Sequence, residues 1–299
     1  MRITYGIQPE TIDVTEICET KLRYKDHIRI PAGEFSRTML FTNPAPGKLN
    51  SIFVTDEESN TTEYDHTTTV RIDISTKKVI DTEQERAIVK RMREIHATIS
   101  IQYGSMEEEV PEQKMALQYL QGNERILEIG GNIGRNSLLL SSILADDSQM
   151  VVVESDATFA KQLEENRDAN NRKFQIENAA ISMRPLIQKG WNTVVSEEVL
   201  PGFHQVPTIT YKQLQDKYKL PFDTLVIDCE GAFFYILQDM PDILDNIQLI
   251  IMENDYWDIQ HKQYIDNVLQ EHAFEVVYSE PGGWGPCFDM FYEVWKRSA

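Results

Sequence analysis

The amino-acid sequence predicts an α/β protein: a mostly parallel sheet with helices on both faces and an antiparallel edge strand, behind a small β-rich domain. Three observations predict it. After Gly122, apolar runs of strand length alternate with segments of helical periodicity, the pattern of repeated β-α units. The first of those runs leads into a glycine-rich turn, LEIGGNIGRNS, and from there into a helix. The first 80 residues, by contrast, are dense in Thr, Ile and Val and alternate polar with apolar side chains between turn residues.

Within residues 1–80, the segments DHIRIPAG, KLNSIFVTD and TTTVRIDIS have the alternation of half-buried strands, and Pro31, Gly33, Pro44, Pro46 and Gly47 mark turns. A sandwich-like unit is expected, with the Thr-rich stretch Asn60–Thr69 as a long exposed loop. From Thr82 the period changes. TEQERAIVKRMREIHATI places Ile88, Met92 and Ile95 at helical spacing with Thr82 as N-cap, so residues 81–111 read as a helical linker. The acidic stretch Glu107–Glu109 then precedes Pro111, which opens a helix over PEQKMALQYL at the start of the larger domain, residues 112–299.

That domain reads as a series. RILEIG is a strand, RNSLLLSSILA a helix, MVVVES a strand and ATFAKQLEENRDAN a helix. Short strands follow around FQIENAAIS, with a hairpin segment near WNTVVS, then a helix over YKQLQDKY. TLVIDC, FFYILQDMPDILDN, IQLIIMEN and HKQYIDNVLQEH continue the alternation, and FEVVYS and MFYEVWK pair at the end. Seven strands with one antiparallel edge result.

Bulk properties narrow the function. Asp and Glu number 48 against 29 Lys and Arg, a formal charge of −19, which repels phosphate backbones and argues against DNA or RNA as substrate. Cys18, Cys229 and Cys287 are far apart, with no CxxC pair, so neither a disulfide framework nor a zinc knuckle is indicated. No apolar run approaches the roughly 20 residues a membrane helix needs, and the N-terminus lacks a signal-peptide core, so no membrane insertion and a cytoplasmic location are expected.

Ligands of such sheets bind at the carboxyl ends of the strands. Here the first strand ends in Gly130, Gly131 and Gly134, but Asn132 breaks the GxGxxG spacing of dinucleotide binders. Glu128 precedes the glycines, where it suits a ligand carrying an amino group. Glu154 ends the second strand, 20 residues after Gly134, where a carboxylate can accept both hydroxyls of a ribose. Each signal alone has a bland reading, a plain strand–helix turn or a solvated acid. Their order on the first two strands points to a nucleoside site.

At this point ILEIGGNIGRNS, VVVES, NAAIS, TLVIDCEGAFFYIL and LIIMEND resemble, in order, the motifs of FkbM-type methyltransferases. The resemblance spans roughly residues 105–297. With the GGWGPC segment and the terminal FYEVWK, it is strongest to a form found in large DNA viruses and some bacteria, and YGI, DVT and IPAG resemble the β-rich extension of some viral members. It implies a Rossmann-like methyltransferase fold, S-adenosylmethionine as donor, oxygen as the usual acceptor atom, often on sugars, and, for a viral source, the host cytoplasm. It further implies that Glu128, Gly130, Asn132 and Gly134 lie by the donor's amino acid part, Glu154 and Ser155 by the ribose with Asp156 flanking, and Asn178 and Ala179 by the adenine. One departure is Phe233, which stands where many relatives carry an acid after the EGA triplet.

The chemistry points to the later strand ends. A sugar hydroxyl needs a base or a metal ion to attack at neutral pH. Asp228, Cys229 and Glu230 end the fourth strand, and Glu253, Asn254 and Asp255 the fifth. Alternation lets Asp228 and Glu230 share a face, and Asp228, Glu253 and Asn254 offer oxygen ligands suited to Mg²⁺ or Mn²⁺. The candidates are therefore Asp228, Glu230, Glu253 and His261 for catalysis, with Asp228 also beside the donor, and Asp228, Glu253 and Asn254 for a metal. The bland reading makes the acids helix caps and His261 a surface residue. Gln113, with Glu112, can reach the donor's methionine end. Among Trp191, Trp257 and Trp284, Trp284 in its glycine-rich loop is the best wall for a sugar or glycan acceptor, with Tyr256 beside the acids. The expected function is a sugar O-methyltransferase, metal-assisted in one version. The alternative is a glycan- or protein-binding module on a noncatalytic methyltransferase-like domain, and homodimerisation is left open.

Overall fold

The computed structural model describes residues 1–80 and 82–298; Asp81, the expected first residue of the linker, and Ala299 lie outside the described residues. The first 80 residues form two antiparallel sheets. One has the order β2-β1-β5-β6, from β1 (Arg2–Ile7), β2 (Glu10–Asp13), β5 (Ser51–Thr55) and β6 (Thr61–Tyr64). The other is β3-β4-β7, from β3 (Arg23–Tyr24), β4 (His27–Ile30) and β7 (Val70–Asp73). Alternate residues of these strands, Ile3, Tyr5, Ile28, Ile30, Ile52 and Ile72, build a separate small core.

Two helices in this unit escape the sequence reading. α1 (Thr15–Lys21) is two turns long and buries only Cys18. α2 (Glu34–Phe41) buries Phe41 at its end but otherwise Ser36 and Arg37, polar residues that break up the apolar stripe a sequence search would look for. Arg37 is fully buried because its guanidinium has three carbonyl acceptors, Pro31, Asp65 and Thr68. Those bonds also correct the expected loop at Asn60–Thr69. Its first half is strand β6, and Asp65–Thr69 is a tight turn, closed by the Asp65 carboxylate on the Thr67 and Thr68 side chains.

α3 (Glu83–His96) starts as expected, with the Thr82 hydroxyl accepting the amide of Glu85 at 3.1 Å. Ile88 and Met92 pack into the large core, so this helix shares the interior of the larger domain. α4 (Val110–Tyr119) has Pro111 in its first turn and lies against β17 (Leu249–Glu253) of the central sheet. Buried Lys114 of α4 donates to the Thr67 carbonyl and the Thr69 hydroxyl and pairs with Glu85, tying the turn, α3 and α4 together.

The central sheet has the order β10-β9-β8-β16-β17-β19-β18. Its other strands are β8 (Ile126–Ile129), β9 (Met150–Val153), β10 (Gln175–Glu177), β16 (Thr224–Ile227), β18 (Phe274–Glu280) and β19 (Tyr292–Arg297). All pairings are parallel except those of β19, which inserts antiparallel between β17 and β18. Counted along this sheet the order is 3-2-1-4-5-7-6, the Rossmann-like methyltransferase arrangement, with its switch point between β8 and β16. The helices are α5 (Arg135–Ile143), α6 (Ala157–Ala169), α7 (Tyr211–Tyr218), α8 (Phe233–Asp239) and α9 (Ile259–Glu271). Where one long helix over FFYILQDMPDILDN is expected, α8 stops at Asp239 and a 3-10 turn begins at Pro241, because proline cannot continue the hydrogen-bond ladder.

Between β10 and α7 the chain makes more than a hairpin. β11 (Ala180–Ile181) pairs with β15 (Thr208–Ile209), and β12 (Leu186–Lys189), β13 (Asn192–Val195) and β14 (His204–Val206) form a three-stranded antiparallel flap. No helix among the described residues is long and apolar enough to cross a membrane.

The two cores meet near the strand ends of the sheet. The Arg29 guanidinium donates to the Ser279 carbonyl at 2.5 Å, and the Ser36 and Tyr292 hydroxyls are 3.2 Å apart. Gly33, at φ +91°, lies so close to Pro111 that a Cβ would stand 3.2 Å from its ring.

Candidate active site at the strand ends

The glycine turn after β8 owes its composition to the protein's own packing. Gly130 has φ +94°, and a Cβ there would sit 1.5 Å from the Asp228 carbonyl oxygen. The turn is thus pressed against the end of β16, which only glycine allows. Gly134, at φ +93°, caps α5 against Leu163 of α6. Asn132 takes φ +46°, and its side-chain oxygen accepts the next amide at 2.8 Å, the local bond that lets asparagine adopt this conformation.

Glu154, beyond the end of β9, is buried and fixed by two backbone amides, Asn132 N–H and Asp156 N–H, each at 2.7 Å. It bridges the glycine turn to the start of α6. Burial pushes its carboxyl up, and the two amides oppose that shift. The Asn178 amide donates to the Glu154 and Ser155 carbonyls at 2.8 and 3.3 Å, bracing the same strand end. Ala179 is buried beside it, while Asn178 is exposed and Ser155 half-buried. Asp156 is an N-cap: one oxygen of its carboxylate, Oδ1, accepts the amides of Thr158 and Phe159 at the start of α6. Glu128 is buried in the middle of the sheet with the Ser137 hydroxyl on it at 2.5 Å, and desolvation raises it to about 8.

The ends of β16 and β17, with the start of α4, gather carboxyl groups. Asp228 and Glu253 are partly accessible, while Glu112 and Asp255 are buried. Glu112 and Glu253 share a hydrogen bond. Burial first, and repulsion second, from Glu109, Asp255 and Glu112 on Asp228 and from Asp228, Glu112 and Asp255 on Glu253, hold both well above the usual carboxylate range. Glu112 and Asp255 are each raised to about 7. One oxygen of Asp255 accepts the Gly231 amide at 2.9 Å; its other oxygen, like Oε2 of Glu112, is buried without a hydrogen-bond partner. The cation recorded nearby is Arg135, which pairs with Glu108 and, at 2.9 Å, with Glu109. Among the described residues, none of Glu112, Asp228, Glu230, Glu253 and Asp255 forms an ion pair with a basic side chain. These groups offer proton acceptors of raised affinity and a strong preference for positive charge.

Several sequence-level expectations are corrected. Asn254 does not join Glu253. Successive strand residues face opposite sides, and the Asn254 amide donates to the Met290 carbonyl and to Glu293, in the buried network of Lys262 and Trp295. Among the described residues no group of three His, Cys, Asp or Glu side chains is arranged to hold a metal, so the Asp228–Glu253–Asn254 site does not form. Glu230 lies near Asp228, but not by strand alternation: β16 ends at Ile227, and Glu230 is exposed at φ +52° in the following turn. His261 stacks flat on Phe234, centroids 3.8 Å apart, and edge-on to Tyr235, which makes it part of the α8–α9 contact instead of a base. Gln113 is fully buried and fully used, bonded to the Met106 and Glu108 carbonyls and to His96. It braces the loop that delivers Glu109 and leaves no polar atom for a donor. Phe233 is buried in the core.

Trp284 is half-buried and packs on Trp257, centroids 4.2 Å apart; Trp257 is 85% exposed. Trp257 follows Asp255 and Tyr256 directly in the chain, and Tyr256 is buried. A Cβ on Gly285 would stand 3.6 Å from the Tyr256 carbonyl, which shows how closely the Trp284 loop approaches. Trp191, by contrast, stacks on Phe159 of α6 at 5.2 Å, on the Glu154 side of the site. Glu109 and Asp255 complete the acidic group although sequence reasoning did not select them. Glu109 arrives from a loop held by His96, Gln113 and Arg135, with no local signature, whereas Asp255 follows Glu253 in LIIMEND and was legible as a strand-end acid.

No protein-family model matches the sequence, and no curated protein matches it. Solved structures with similar folds include an O-methyltransferase from Bacillus cereus in complex with SAH. It is 15% identical, over 75% of this chain and 95% of that one, with a TM-score of 0.41. They also include a ribosomal protein L11 methylase from Lactobacillus delbrueckii subsp. bulgaricus (13%, 64% and 78%, 0.40). A protein of the NADB-Rossmann superfamily from Streptococcus agalactiae is a third (14%, 62% and 68%, 0.40). At such identities the likeness concerns the fold and not the reaction.

Proposed function

We propose that this chain is an S-adenosylmethionine-dependent O-methyltransferase acting on a sugar hydroxyl. The observation that carries the reading is the pairing of two strand-end features across one switch point. On one side stands Glu154, held by two backbone amides at the end of the second strand, where it suits a ribose diol. On the other stand Asp228 and Glu253, raised acids at the fourth and fifth strand ends, with Trp257 of the Trp257–Trp284 pair four residues beyond Glu253 in the chain. The FkbM-type resemblance of residues 105–297, and with it a source in a large DNA virus, belongs to the same proposal.

The residues fit such a donor. Glu154 would hold its ribose, the turn from Gly130 to Gly134 would pass along it, and the acids at the ends of β16 and β17 would favour its positive charge. When bound, S-adenosylmethionine supplies an electrophilic methyl group on a sulfonium. One of Asp228 and Glu253, both partly accessible at the strand ends, takes the proton of the acceptor hydroxyl when it is ionised. The Trp257–Trp284 surface orients the sugar ring. No step requires a metal ion.

Titration calorimetry with S-adenosylhomocysteine tests the donor half. Wild type is expected to bind, and Glu154→Ala, with an unchanged far-UV spectrum, to bind about 10- to 100-fold more weakly, the loss of charge-assisted hydrogen bonds. Absence of binding by wild type sinks the reading.

A further inference from the structure

The strand-end acids are too many and too poorly partnered to serve a neutral acceptor. Asp255 is 5% exposed and Glu112 7% exposed, and each keeps one carboxyl oxygen with no hydrogen-bond donor. A buried polar atom left in this way is costly, the more so where it carries charge, so it marks a position that a ligand donor fills. Both act on the accessible pair: Asp228 and Glu253 each interact with Asp255 and with Glu112. Arg135, the basic side chain that acts on Glu112, is already taken by Glu108 and Glu109. Two residues after Asp255 in the chain, the exposed Trp257, packed on Trp284, adds a surface that suits both a sugar ring and a cation.

Building on the methyltransferase reading, we propose that the acceptor is cationic, an amino sugar whose ammonium group is held by Asp255 and Glu112 beside the Trp257–Trp284 pair. The ammonium offers three donors to carboxyl oxygens that have none, and the ring stacks on the indoles. The hydroxyl to be methylated then lies on the same ring within reach of Asp228 and Glu253. Asp255 and Glu112 act here as specificity residues: they select the charged ring over its neutral counterpart and do not touch the transferred methyl group.

The test uses the full chain with S-adenosylhomocysteine added, at about pH 7, and titrates glucosamine against glucose, which differ by one amino group. Glucosamine is expected to bind about tenfold more tightly or better, as a charged hydrogen bond requires. Asp255→Asn and Glu112→Gln, both near-isosteric with the protonated acids they replace, are each expected to bring the two sugars within about threefold of one another. Equal binding of the sugars, no binding of glucosamine, or a preference untouched by both variants overturns the proposal. So does stoichiometric Mn²⁺ binding that glucosamine does not displace, which would assign the acids to a metal. The donor reading is scored separately: glucosamine preference without any S-adenosylhomocysteine binding supports the cation site and removes the methyltransferase reading. Donor binding without preference does the reverse.

Discussion

Replacing Glu128 by glutamine should stabilise the protein, and by an amount that grows with pH. Glu128 is 2% exposed, sits between Val152 and Val226 in the sheet, and has the Ser137 hydroxyl as its hydrogen-bond donor. Its carboxyl is raised from 4.5 to about 8, by desolvation above all, with Glu109 and Glu154 adding to it and Ser137 opposing. In the unfolded chain the group titrates near its ordinary value. The folded protein therefore holds a proton that the unfolded chain gives up between these two values. The stability linked to that proton is complete below the unfolded value and is lost as pH rises through about 8. Each unit of pH in the window costs about 1.4 kcal/mol, so the wild type gives up about 3 kcal/mol by neutral pH and at most about 5 kcal/mol above pH 8. Glutamine mimics the protonated acid, keeps an oxygen for Ser137, and does not titrate. Urea unfolding of both proteins without donor, at pH values from about 5 to 8, measures the difference directly, and the other acids cancel in it. Glu128→Gln should match wild type near pH 5 and exceed it by a few kcal/mol near pH 8. A difference that stays flat with pH, or a variant less stable at pH 8, would refute the reasoning that burial keeps this carboxyl protonated.

Other substitutions probe the frame around the site. Gly130→Ala should unfold or severely destabilise the chain, by more than about 3 kcal/mol, since a Cβ would meet the Asp228 carbonyl at 1.5 Å; a soluble variant with a wild-type melt would contradict that contact. Lys114→Met should cost about 3–5 kcal/mol in thermal or urea unfolding, because it leaves Glu85 and the Thr67 carbonyl without their buried cation. Asp156→Ala should cost about 1 kcal/mol through its lost cap on α6. It should leave S-adenosylhomocysteine affinity within about twofold of wild type, unlike Glu154→Ala, and a larger loss in calorimetry would return Asp156 to the ribose.

The sequence by itself determined the sheet and the glycine turn and strand-end acids that line its carboxyl edge. The runs at Ile126–Ile129, Met150–Val153, Thr224–Ile227 and Leu249–Glu253 are buried on both faces and so read as continuous apolar segments, each followed by a helix. The glycine turn and Glu154 were legible for the same reason: a turn pressed against β16 must be glycine, and an acid at the end of the second strand comes at a fixed distance along the chain. Side-chain direction was decided only by the tertiary structure. Asn254 and Glu253 are neighbours in sequence yet face opposite sides of β17, so the metal triad suggested by their adjacency does not form. α2 was hidden because its inner face is Arg37 and Ser36, whose partners are carbonyls and a tyrosine far along the chain. Glu109 reaches the acidic group through a loop pinned by His96, Gln113 and Arg135, and no local pattern encodes such a contact. Periodicity reports which face of an element is dry. Which charged groups meet across that face depends on the packing of distant elements, and that is where the acids of this site gain both their raised proton affinity and their unmet demand for a cation.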